Sequence, residues 1–514
     1  MSQDKRKNHL VVLIHGLWGS AQNMSRLESV LHHSLDETPT CKMHTYAPDC
    51  FSHFKTYDGI ESIGGYIIPD LFKHLERLQA EHGIVIEEIS FVGYSLGGLI
   101  ARYIIGELYE VGFFEKIKPG FFTTFATPHL GVTFYNSRIL NVCGSHFLGQ
   151  TGRDLFLVEN VDGIVYKLCA PERRYYKGLS LFKTKICVAN AKFDRTVGFY
   201  SAFITKYDVF NDWNSVNPKY IQGLPTATLT ENGKQIQCMV IDFNESERID
   251  PAEKHKDPSQ SSPSHSEFAM TILLTVGFFL FPVIFSVSLF ATVKSYMRRR
   301  VLPIPNFAKL WKVTSAYFDF GDDKEIEDQS SLLSTSESQN FLKESDKNQD
   351  HDDGYNEADN LQRGPIGVSH ITREVVENGL NMINEDVDAD IDQNTPKKLS
   401  TDTSKSYSID VEFELDYKSR ADSVENLVNN LINNDLSNVG LAKNLNPLPF
   451  NDVRQRILDN LNSLPWNKIA VLLHNLNAHQ SVVGRRGFER TPESIPFLFL
   501  YSFLIDTSMK QYSN

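Results

Sequence analysis

A chain of 514 residues with 41% hydrophobic content is long enough for two or three domains and for a sizeable core. Its 51 Lys and Arg against 64 Asp and Glu leave a formal charge of −13, and the acidic residues crowd into one region, which argues against a nucleic-acid partner. Six cysteines (Cys41, Cys50, Cys143, Cys169, Cys187 and Cys238) have no paired spacing, and Met1 to Asn8 carries no apolar signal core, so a reducing, cytosol-facing domain is expected.

Leu10 to Ile14 is a continuous apolar run of the kind buried on both faces of a parallel sheet. It ends in His15-Gly16-Leu17-Trp18-Gly19, after which Met24, Leu27, Leu31 and Leu35 follow at helical spacing. Further strand and helix signals alternate through Met43 to Tyr46 and Ile60 to Leu78. Phe91-Val92-Gly93-Tyr94-Ser95-Leu96-Gly97-Gly98 then reads as a sharp turn between a strand (Ile89 to Val92) and a helix (Leu96 to Leu108). A serine hydroxyl attacks an ester only when it stands clear of the backbone. Glycines at 93 and 97 remove the Cβ atoms that would clash where strand and helix cross. The Leu96 N–H then sits where an oxyanion would form, and the Leu17 N–H, in a loop after an early strand, is the second expected donor.

Two more strands are expected at Gly120 to Phe125 and Thr184 to Ala189, and the alternation as a whole predicts an α/β fold with a mostly parallel sheet. The long segment between them, Thr127 to Leu181, reads as a lid or acyl-pocket wall. Asp194 lies just past the end of the second strand, where the orienting acid of a serine triad belongs; a turn-forming aspartate is the plainer alternative. Residues 1–250 are thus expected to form a hydrolase core holding nucleophile and acid.

A linker (251–267) leads to the most apolar stretch, 268–293, uncharged and about 39 Å long as a helix at ~1.5 Å per residue. A basic juxtamembrane segment (294–320) with Lys294, Arg298, Arg299 and Arg300 follows, and then an acidic insert (321–441) expected to be disordered. Residues 442–514 return to the core, with a helical pattern at Asn451 to Leu464 and a buried strand at Ile469 to Leu473. The apolar tail Phe497 to Phe503 reads unlike an amphipathic closing helix. A serine nucleophile needs a base, and after Asp194 only His474 and His479 lie outside linker and insert. His479, in a loop beyond the strand end, is the expected base, with His474 as the alternative and more readily a packed residue. Because Ser95 and Asp194 precede the apolar stretch and His479 follows it, a triad requires both flanks on one side of a membrane. A monolayer hairpin bending at Pro282 meets that requirement, whereas a single transmembrane helix does not.

The set His15 to Gly19, Gly93 to Gly98, Phe125-Ala-Thr-Pro-His-Leu-Gly131, Ala189 to Thr196 and Asn477-Ala-His479 resembles the fungal serine esterase and lipase family of α/β hydrolases that includes the yeast lipid-droplet phospholipase. The likeness covers roughly 8–245 and 445–485. It implies a phospholipase acting at droplet surfaces, with Ser95, Asp194 and His479 at the triad positions; the hairpin reading adds an endoplasmic-reticulum leaflet as a second expected location, and the acyl-transfer chemistry calls for no metal or cofactor. Expected partners are an acyl-lipid substrate and a membrane or droplet monolayer. Two alternatives stand beside it: a neutral acylglycerol lipase or lipid acyltransferase, and a silent membrane-anchored scaffold whose acidic insert recruits proteins.

Overall fold

A computed structural model describes residues 6–35, 41–135, 137–250, 285–319, 410–431, 436–437, 439–475 and 477–513. Strands β1 (Lys7–Ile14), β2 (Cys41–Tyr46), β3 (Glu88–Tyr94), β4 (Lys118–Phe125), β5 (Thr184–Asn190) and β6 (Asn467–Val471) form one sheet in the order β6-β5-β4-β3-β1-β2, and every pairing is parallel. Parallel neighbours need crossovers, and helices supply them on both faces. The apolar run of β1 shows why both faces must be covered. Leu10, Val12 and Ile14 join one core cluster and Val11 and Leu13 the other, as the twofold alternation of a strand requires.

On the first face lie α2 (Ile60–His82) and α3 (Leu96–Glu110), and on the second lies α1 (Ser25–Leu35). The segment between β4 and β5 carries several helices, beginning with α4 (Arg138–Phe147). Helix 285–301 and α5 (Phe307–Asp319) come next, and α5 packs Trp311 against the stacked pair Phe72 and Phe113. The C-terminal part returns through α6 (Asp452–Asn462) to β6, which pairs with β5 from Asn467 opposite Ile186 to Val471 opposite Asn190. Arg454 on α6 donates to the Leu130 carbonyl at 2.8 Å and to the Thr133 hydroxyl at 2.6 Å, tying this late segment to the loop after β4.

Two expectations need correcting. The boundary of the acidic insert at 441 is drawn too late: Phe413–Asp416 is a strand paired antiparallel with Thr226–Leu229, and Arg420–Asn429 is a helix burying Val424 and Leu427. The charged sequence hid a half-buried strand that also fixes Asp410 against Arg26 at 2.9 Å. Second, the tail is a closing helix, α7 (Ser494–Ser513). It is apolar all round because α1, the helix Arg420–Asn429 and the sheet cover it, burying Leu498, Leu500, Tyr501 and Ile505 completely. The linker, the stretch 268–284 with the bend expected at Pro282, Phe320 and insert residues 321–409 lie outside the described residues. Among the described residues no helix is long and apolar enough to cross a membrane. All six cysteines are free.

A buried closing helix should be costly to hollow out. Leu500→Ala is expected to lower stability by about 2–5 kcal/mol, read as a lower urea midpoint at unchanged slope.

Candidate active site

Ser95 stands between β3 and α3 at φ 55° and ψ −125°, a conformation that L-residues rarely hold. Its neighbours over-determine it. The Ser95 N–H donates to the Phe125 carbonyl at 2.8 Å, and the Thr127 hydroxyl donates to the Ser95 carbonyl at 2.9 Å. A Cβ on Gly97 would lie 2.1 Å from the Ile14 carbonyl oxygen, and one on Gly93 would lie 2.3 Å from the Gly98 Cα, so strand and helix cross at a distance only glycine permits.

His479 lies on a short helix, Ala478–Ser481, beyond the end of β6, and Asp194 on the turn beyond β5. The structure brings Ser95, His479 and Asp194 together: His479 Nε2 is 3.0 Å from Ser95 Oγ, and His479 Nδ1 is 2.9 Å from Asp194 Oδ2. An ionised carboxylate can only accept, so Nδ1 carries the proton and Nε2 presents its lone pair to the serine hydroxyl. The Tyr94 ring lies 5.2 Å from the imidazole and backs it. Burial acts to raise the Asp194 carboxyl, but the facing His479 ring, the Val197 N–H and the Asn190 amide outweigh it and leave it below its ordinary value. Asp194 accepts from Thr196 N at 3.0 Å, Val197 N at 2.9 Å and Asn190 Nδ2 at 2.9 Å, which fixes its orientation. His474, the alternative base, is exposed; expected as a packed residue, it instead takes no part in this cluster.

The loop after β1 closes over the serine. A Cβ on Gly16 would meet Ser95 Cβ at 2.7 Å. No hydrogen bond engages the Leu17 or Leu96 amide among the described residues, and the Leu96 amide opens α3, at the positive end of its dipole. His15 is wholly buried, stacked on Phe51 at 3.9 Å, and burial pushes its ring down to about 3, so it is an uncharged prop for this loop. Trp18 is held at both ends: its N–H donates to Thr56 Oγ1 at 3.1 Å and its indole to Tyr57 Oη at 2.9 Å. Arg485 donates to the Trp18 carbonyl at 3.3 Å. Sequence reasoning missed Thr127, Asn190 and Arg485 as positioning residues. Thr127 and Asn190 sit in motifs already singled out, next to strand ends, whereas no pattern marks Arg485.

Residues 4–207 match the family model described as "Putative serine esterase (DUF676)". That match covers less than half of the chain. It contains Ser95, the loop after β1 and Asp194, and stops before His479. The chain is 32% identical over 230 residues to "Putative lipase ROG1" of Saccharomyces cerevisiae, covering 41% of this chain and 30% of that one. It is 30% identical over 166 residues to "Putative lipase C4A8.10" of Schizosaccharomyces pombe, covering 29% and 21%. A third relative, "Putative lipase YDL109C" of Saccharomyces cerevisiae, is 28% identical over 217 residues, covering 40% and 31%. The chain thus spans less than a third of the length of each of these curated relatives. All three relatives carry names that describe putative lipases.

The Asp194 environment gives a signed expectation. A carboxyl whose native value is depressed adds stability that is complete above its unfolded-state value of 3.8 and is lost as the pH falls through the lower native value. Asp194→Asn should therefore unfold at lower denaturant than the parent near neutral pH, and the gap should close well below pH 3.8. A gap that widened on acidification would contradict the assignment.

Proposed function

We propose that this protein is a serine lipase that hydrolyses acyl esters of glycerophospholipids at a lipid-droplet or endoplasmic-reticulum surface. The observation that carries the reading is the relay of two hydrogen bonds joining Ser95, His479 and Asp194, each from the end of a different strand of one sheet. Substrate esters enter at the carboxyl edge of the parallel sheet, the usual place for a site in such folds.

His479 Nε2 takes the Ser95 proton as Oγ attacks the acyl carbon, and Asp194 stabilises the imidazolium that forms. The Leu96 and Leu17 N–H groups receive the tetrahedral oxyanion, each such donor contributing about 3–4 kcal/mol in the transition state. Collapse expels the lysophospholipid alkoxide, which leaves as the alcohol with the proton from His479. Water, deprotonated by the same ring, then attacks the acyl-enzyme and releases the fatty acid. The 3.0 Å approach of His479 to Ser95 also supports one-sided topology: both flanks of the apolar stretch lie on the same face of any membrane that stretch enters.

Fatty-acid release from mixed phospholipid vesicles tests the reading. Ser95→Ala and His479→Ala should each fall by roughly 10³-fold or more, because each removes the proton relay. Retained activity in Ser95→Ala would overturn the proposal. Release from triacylglycerol in place of phospholipid would keep the mechanism and reassign the substrate to neutral acylglycerols.

A further inference from the structure

Two neighbouring helices are built inside out. On helix 285–301 the side chains turned to the protein are polar or small, apart from Phe285 at its start. Ser288 donates to the Phe147 carbonyl at 2.7 Å, Thr292 Oγ1 accepts from the Gly149 N–H at 3.2 Å, and Ser295 donates to the Tyr57 carbonyl at 3.0 Å. Arg298 grips Asp58, which is fully buried, through two bonds of 2.8 and 2.9 Å. The opposite face carries Leu289, Phe290, Val293 and Met297, of which Phe290 is 61% and Met297 62% exposed. α4 repeats the inversion: Ser145 is its buried residue, whereas Ile139, Leu140 and Val142 are exposed, Ile139 by 76%. The two helices meet through Phe147 and Phe285, whose rings lie 4.6 Å apart. An amphipathic helix in water shows the reverse arrangement, and contiguous apolar surface of this kind marks a contact.

We propose that the joint outer face of α4 and helix 285–301 seats the protein on a lipid monolayer carrying anionic headgroups; the proposal deepens the lipase reading and rests on it for the substrate. Three observations select lipid over a protein partner. The sequence leading into helix 285–301 is an uncharged apolar run from Phe268, so the exposed face continues chemistry suited to acyl chains. The apolar face is bordered by exposed Lys294 and Arg300, which complement anionic headgroups, whereas Arg299 turns back to donate to Gln150 Oε1 at 2.7 Å. The face also adjoins the site. Ser288 contacts Tyr57 Oη at 3.1 Å, and Tyr57 accepts from the Trp18 indole, one residue beyond Leu17. Both α4, which follows β4, and the turn at Tyr57, which follows β2, stand at the carboxyl edge where Ser95 lies. A protein seated this way holds the serine next to the lipid it cleaves.

The test uses full-length Ser95→Ala protein on triolein droplets coated with phosphatidylcholine and phosphatidylserine, doped with a phosphatidylcholine bearing a diazirine in its acyl chain. After irradiation, peptide mass spectrometry should find label within 138–147 and 285–301. Label absent from both helices would overturn the proposal, as would a dimer that covers this face in solution. In a second arm, Ile139→Ser, Leu140→Ser and Val142→Ser are combined in otherwise unaltered protein. The droplet rate relative to the rate on soluble p-nitrophenyl butyrate should fall about tenfold or more, since the face contributes binding only at an interface. An unchanged ratio would sink the proposal. If the parent protein fails on the soluble ester, the lipase reading falls, while the label still judges the surface.

Discussion

The close crossing of α3 over the ends of β1 and β3 is the constraint on which the rest of the site depends. Gly97 passes so near the Ile14 carbonyl that any side chain would force strand and helix apart, and the same approach drives Ser95 into positive φ. Such backbone costs of the order of 1–3 kcal/mol, and here it is held by bonds from both sides: Ser95 N–H to Phe125, Thr127 to Ser95. The return is geometric. The hydroxyl is raised to the sheet edge while the first amide of α3 and the loop after β1 converge beside it.

The chain completes this arrangement across a wide gap in sequence. Ser95 and Asp194 lie in the first half, His479 near the end, and β6 brings them together by pairing with β5 in parallel register. Buried cross-links hold that return in place. Arg454 reaches the carbonyl of Leu130, and Lys468 donates to the carbonyl of Ile204 and to Asn462, each at 2.8 Å. The long intervening sequence therefore does not disturb the relay. It adds helix 285–301, clamped to buried Asp58, and a strand at Phe413–Asp416 that extends a small side sheet.

Much of this was legible because the signals are local. The run Leu10 to Ile14 announces a strand buried on two faces, and the glycines around Ser95 announce a close turn. Asp194 and His479 were placed by order and by position past strand ends, which is a topological argument and needs only the alternation of strands and helices. What escaped depends on neighbours far away in sequence. α7 carries no amphipathic period because three elements surround it, so a pattern tuned to one-sided burial misjudges it. The strand Phe413–Asp416 is hidden in acidic sequence because only one face is covered. The inverted faces of α4 and helix 285–301 cannot be told from ordinary amphipathic helices until it is known which side meets the protein. Arg485 reaches the Trp18 carbonyl from a segment far away in sequence, and no spacing predicts it.

Covalent labelling reads most directly whether Ser95 is a nucleophile activated by His479. Full-length protein treated with a fluorophosphonate should give one adduct, mapped by peptide mass spectrometry to Ser95. Its rate of formation should fall by orders of magnitude in His479→Ala and hold in His474→Ala. An adduct on another serine, or a rate that is indifferent to His479, would contradict the account.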